Sequence, residues 1–148
     1  SLSFVITTKD DDPVFSATYS QNDRDDDYRE QNSLDQFIIY AALDAVDRVV
    51  QVGGDKTSQH LFLKKVDEFQ GKRIYAYMTP GSTRLMLLLG DNTYTEKMDY
   101  IKAFFQDCHA MYLRVMLNPL YTIGGTITDA RFRRDVLAKM ATLQKRMR

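Results

Sequence analysis

The residues best suited to covalent chemistry in this 148-residue chain are its one cysteine, Cys108, and its two histidines, His60 and His109. A thiolate nucleophile needs a general base within hydrogen-bond reach. His109 follows Cys108 directly, so on a helix the two side chains diverge by about 100° and cannot pair. Cys108 falls on an apolar arc with Phe104, Phe105 and Met111, where burial raises a thiol's pKa and leaves it inert. One cysteine and two histidines do not build a zinc site without carboxylates at unusual spacing. Asp44 and Asp47, three residues apart on a helix, could hold a cation, but paired acids on a helix face are usually solvated. The aspartates at 23, 25, 26 and 27 lack the D-x-D-x-D-G spacing and closing glutamate of a calcium loop. Gly54-Asp55-Lys56-Thr57 lacks the contiguous G-K-[ST] and the upstream glycine of a phosphate-binding loop. No catalytic, metal or cofactor-binding residue is assigned, and the chain is expected not to be an enzyme.

Composition sets the outer limits. Hydrophobic residues make up 44% and charged residues 27%, the balance of a soluble globular domain. No apolar run reaches the roughly 18–20 residues that span a bilayer, so an integral membrane protein is not expected. The opening SLSFVITT lacks the parts of a secretory signal. A single cysteine excludes an internal disulfide framework and fits a reducing cytosol. Net charge is zero but uneven. Residues 1–50 hold eleven acidic against four basic side chains, and residues 129–148 hold seven basic against two acidic. The neutral total argues against nucleic acid as partner.

Period and turn chemistry predict the elements. Leu2–Thr8 and Val14–Tyr19 read as strands around the turn Lys9-Asp10-Asp11-Asp12-Pro13. Ser20–Asn32 is a polar, acidic loop. Ser33-x-x-Gln36 has capping-box spacing before a helix over Leu34–Val50, and Gln51–His60 is a second polar loop. Leu61–Glu68, Arg73–Met78 and Arg84–Leu89 read as a three-strand meander turned at Gln70-Gly71 and Thr79-Pro80-Gly81-Ser82. Thr93-x-x-Glu96 predicts a helix start, and Asn118-Pro119 ends that helix near Leu117. On it His109 falls with Asp99, Lys102, Gln106 and Arg114 on the outward side. A last helix over Asp129–Met147 aligns Phe132, Val136, Met140, Leu143 and Met147. The order β-β-α-β-β-β-α-α, with no repeat or long linker, predicts a single α+β domain over residues 1–148.

The helix at Leu34–Val50 has nearly two apolar faces. Leu34, Ile38, Ala41, Ala42, Ala45 and Val49 fall in one arc, read as the stripe facing the core. Ile39, Leu43, Val46 and Val50 fall beside it, and a surface helix needs only one such face. These four are expected to form an exposed partner-binding patch, with Asp44 and Asp47 as its polar edges. The excess of apolar surface points to binding rather than catalysis.

Several segments, in order, resemble the sedlin family of small subunits in TRAPP vesicle-tethering complexes. They are Phe4-Val5-Ile6 with Asp12-Pro13-Val14-Phe15, Gln36-Phe37-Ile38, and Ala41-Ala42-Leu43-Asp44 with Val46-Asp47. Leu63-Lys64 with Val66-Asp67 and Phe69, then Phe105, Tyr112, Asn118-Pro119 with Tyr121, and Phe132 with Arg134 continue the match. Tyr75-Ala76-Tyr77-Met78-Thr79 is similar to the sedlin-like paralogue, so both siblings stay open. The acidic loop 20–32, the insert at 53–59 and the basic tail beyond Lys145 depart from the pattern. The resemblance implies a longin-like (SNARE-like) fold: a five-stranded, antiparallel-rich sheet with one helix on one face and two on the other. It further implies a non-enzymatic adaptor in ER-to-Golgi transport, cytoplasmic and peripheral to membranes. Its partners would be other TRAPP subunits and, indirectly, a Rab GTPase and vesicle membranes. The alternative is a longin-type regulatory module that binds a SNARE or small GTPase directly.

Overall fold

The computed structural model describes residues 1–20, 34–52, 61–90 and 95–147, with the side chains of residues 51, 52 and 61 left aside. Strands β1 (Leu2–Thr7) and β2 (Pro13–Tyr19) are followed by a helical pair, α1 over residues 34–41 and α2 over Leu43–Val52. Then come β3 (Leu61–Phe69), β4 (Lys72–Met78), β5 (Arg84–Leu89), α3 (Met98–Met116) and α4 (Ala130–Met147). The five strands form one antiparallel sheet in the order β2-β1-β5-β4-β3. The expected hairpin and meander are therefore joined by β5 pairing with β1, from Leu2 opposite Leu89 to Thr7 opposite Arg84.

Strand alternation assigns the two faces. Phe4, Ile6, Tyr75, Tyr77, Leu85 and Leu87 point to the side covered by α3 and α4. Val5, Ile74, Ala76, Met78, Met86 and Leu88 point to the side covered by α1 and α2. Because β1, β4 and β5 are buried on both faces, their sequences read as nearly continuous apolar runs. The larger cluster is rich in rings, with Phe4 edge-on to Phe104 at 5.3 Å and Phe15 edge-on to Phe132 at 4.8 Å. The α+β, longin-like arrangement expected from the sequence is the one found.

Each sheet edge is protected differently. Along β2, Val14 O accepts from Ile127 N at 2.8 Å and Ser16 O accepts from the Arg133 guanidinium at 3.2 Å. Along β3, register shifts after Phe62 and Lys65 and exposed Lys64, Lys65, Asp67 and Glu68 make a poor template for a further strand.

Some helix boundaries differ from the sequence expectation. The first helix is interrupted at Ala42, whose N–H donates to both Ile38 O and Ile39 O at 3.1 Å, and it continues to Val52. The predicted caps Ser33 and Thr93, with most of the loops at 20–32 and 51–60, lie outside the described residues. The third helix begins at Met98 instead of beside Glu96, and its cap residue Lys97 makes no side-chain cap bond. Thr95 N donates to Met147 O at 2.8 Å and Lys97 Nζ donates to Arg146 O at 2.7 Å. Residues 95–97 thus satisfy the open carbonyls at the end of α4 before α3 can wind. By contrast, Asp129 caps α4 as its position suggests, its Oδ1 accepting from Arg131 N at 2.8 Å. Among the described residues, no helix is long and apolar enough to cross a membrane.

Candidate functional site

The helical pair α1–α2 covers its side of the sheet with a stripe different from the one its wheel suggests. Ile38, Ile39, Ala42, Leu43 and Val46 are buried against Val5, Ile74, Met86 and Leu88, and Val50 is half-buried beside them. Ile39, Leu43 and Val46 therefore form core, and the expectation that they make an exposed patch is corrected. The physical reason is volume and a polar pin. The branched chains of Ile39, Leu43 and Val46 fill the gap above the sheet beside Ile38 and Ala42, which small side chains alone would leave open. One turn before Ile39, buried Asp35 accepts from Lys72 Nζ at 2.6 Å and from Ser3 Oγ at 3.3 Å. That carboxylate lies on the same side as Ile39, so its contacts with β4 and β1 set the rotation of the helix.

Rotation leaves a different stripe outside. Leu34, Phe37, Ala41, Asp44 and Arg48, spaced i, i+3, i+7, i+10 and i+14, are all exposed, and Val49 lies beside Arg48. Phe37 is 71% exposed. The excess of apolar surface is real: Leu34, Ala41 and Val49 of the arc expected to face the core are turned outward with Phe37, while Ile38, Ala42 and Ala45 of that arc are buried as expected. Of the six expected site residues, Asp44 alone is fully on this outer surface.

Asp47 has an internal partner. The buried Arg84 at the start of β5 donates to Asp47 through one terminal nitrogen and to Asp11 through the other, and reaches Lys9 O at 3.4 Å. One guanidinium thus ties the β1–β2 turn, where Asp11 takes a positive φ of 64°, to α2. Because both aspartates are nearly half exposed, water takes over much of their solvation if the cation is removed. Arg84→Met is expected to lower stability by about 1.5–3 kcal/mol, read from chemical denaturation. No change in the denaturation midpoint would show that the tie carries no energy.

Cys108 is buried in the larger cluster, and desolvation, with Asp107 adding to it, pushes its thiol well above the usual range. That is the structural cysteine expected from its neighbours. His109 is buried as well, 5.8 Å from the Tyr77 ring, and not on the outward side where its wheel position had placed it. The arc of α3 that is covered is therefore wider than its apolar residues alone mark out. The missed residues are Phe37 and Asp35. Phe37 could have been found as a large ring at the margin of the helix's polar strip. Asp35 could not, because its partners stand 32 and 37 positions away.

Comparison with known proteins places these features in a family. The sequence profile described as Sedlin matches residues 5–142. The "Transport protein particle 20 kDa subunit" of Schizosaccharomyces pombe is 33% identical over 128 residues, covering 86% of this chain and 87% of its own length. The "Probable trafficking protein particle complex subunit 2" of Drosophila melanogaster is 30% identical over 129 residues, 87% of this chain and 86% of its own. The protein of the same name in Caenorhabditis elegans is 29% identical over 131 residues, with the same coverage.

Proposed function

Since this chain belongs to the sedlin family, we propose that it serves as a subunit of a trafficking protein particle that tethers transport vesicles. In this reading it is a non-enzymatic adaptor, at work peripherally between endoplasmic reticulum and Golgi. Its direct partners are neighbouring subunits; a Rab GTPase and the vesicle are engaged through the assembly. Relatives of similar length carry names of complex subunits, which supports the reading.

The observation that carries it is the outer stripe of α1–α2. An exposed phenylalanine flanked by Leu34 and Ala41, with Asp44, Arg48 and Val49 further along the same surface, has the anatomy of a small hot spot with a polar rim. Burying Phe37 would contribute roughly 1.5–3 kcal/mol, about ten- to a hundred-fold in affinity. Phe37→Asp in the full chain is expected to leave the thermal midpoint within a few degrees of wild type. Recovery of the other subunits on affinity purification should fall at least about tenfold. Normal recovery with the folded variant would reject this face as the docking site. A monomer-sized peak for the native protein in cell extract would instead favour a free-standing regulatory module.

A further inference from the structure

On the opposite side of the sheet from that stripe, the segment after α3 presents the most exposed large apolar side chains among the described residues. Leu117 is 82%, Leu120 91% and Ile123 75% exposed. Their exposure is held by structure. Leu120 N donates to Asn118 Oδ1 at 3.0 Å, Tyr121 N to Asn118 O at 3.0 Å, Gly125 N to Thr122 O at 2.9 Å, and Tyr121 OH to Gly125 O at 2.7 Å. Gly124 closes the loop at a φ of 85°. Three turns in succession keep three apolar chains pointing into water, where a slack loop would fold them onto the domain.

Cationic side chains stand beside the tip. Arg114 of α3 and Arg131 of α4 share one shallow cleft with Asn118, and Arg134 is exposed one turn further along. Two acids share that cleft: Asp129, which caps α4, and Asp135, 4.0 Å from Arg131, so Arg131 is matched there and Arg114 and Arg134 supply the positive charge beside the tip. Arg133 turns the other way, to Ser16 O on β2. Helix α4 as a whole carries six basic residues against one acidic.

We infer that the Leu117–Ile123 tip, with Arg114 and Arg134 behind it, is a contact site for an anionic phospholipid bilayer. A stable protein interface buries about 800 Å² from each side, more than these three side chains supply. A lipid interface requires no shape, only apolar groups that reach below the headgroups and cations at headgroup level. Because the tip and the α1–α2 stripe lie on opposite faces of the sheet, one does not obstruct the other.

The test is co-sedimentation of the purified full chain, and of the assembled complex, with phosphatidylcholine vesicles with and without phosphatidylserine. Wild type is expected to bind only vesicles containing phosphatidylserine, less so as salt rises. Leu117→Ser/Leu120→Ser/Ile123→Ser should weaken binding by roughly a hundredfold or more, while Phe37→Asp should leave it unchanged. Leu120→Cys carrying an environment-sensitive dye should shift to the blue on the same vesicles, and buried Cys108 will not compete for the label. Absence of wild-type binding, equal binding by the triple variant, or an unshifted dye would overturn the site. So would loss of other subunits from the triple variant on purification, since that would make the tip a protein contact.

Discussion

Substituting aspartate for Val46 is expected to destroy the fold, with loss of the cooperative thermal transition and of the native circular dichroism spectrum. Val46 is completely buried between α2 and the sheet, in one cluster with Ile39, Ala42, Ile74 and Met86. The change removes a packed side chain, worth about 1.5–3 kcal/mol. It also buries a carboxylate with no cation beside it, which costs roughly 3–5 kcal/mol. Together these approach the whole stability of a domain this size, about 5–15 kcal/mol. Leu43→Asp is expected to act in the same way. Loss of a binding partner in either variant would therefore report unfolding. A Val46→Asp protein that melts cooperatively near the wild-type temperature would show that this face does not pack on the sheet.

The second large effect concerns the buried pair Asp35–Lys72. Asp35 has no exposed side-chain surface and Lys72 has 12%, with 2.6 Å between Oδ1 and Nζ. Lys72→Met keeps the length of the side chain and removes the cation. It is expected to cost about 3–5 kcal/mol in urea denaturation, because the carboxylate stays buried without its counter-charge. Asp35→Asn together with Lys72→Met should recover a large part of that loss, since the remaining groups are neutral. The coupling between the two changes is the measured quantity. If the double variant is as unstable as Lys72→Met alone, the pair is not what holds α1 in its rotation. Such a result would return the choice of stripe to packing volume.

Much of the fold was legible along the chain. Alternation in Ile74-Tyr75-Ala76-Tyr77-Met78, the turn at Thr79-Pro80-Gly81-Ser82 and the proline after Asn118 are local signals, and each element stands where they put it. The helix starts were less legible. Capping boxes are short patterns, and the one ending at Glu96 yielded to a tie between residues 95–97 and the end of α4. Family order was readable too, since segments from Phe4 to Arg134 keep their sequence and the profile match covers residues 5–142.

By itself the sequence determined that α1–α2 carries more apolar surface than one core can use. That is a count of side chains on a wheel, and no neighbour is needed to make it. Which half of the surface remains outside was decided by tertiary structure. Asp35 finds Lys72 and Ser3 across the sheet, Asp47 is taken by Arg84, and Ile39, Leu43 and Val46 fill the space beneath. These contacts span 32 to 37 residues along the chain, and helical periodicity contains no term for them. Two faces of similar hydrophobicity are nearly equal in transfer energy, so shape and one buried ion pair settled which of them meets the sheet.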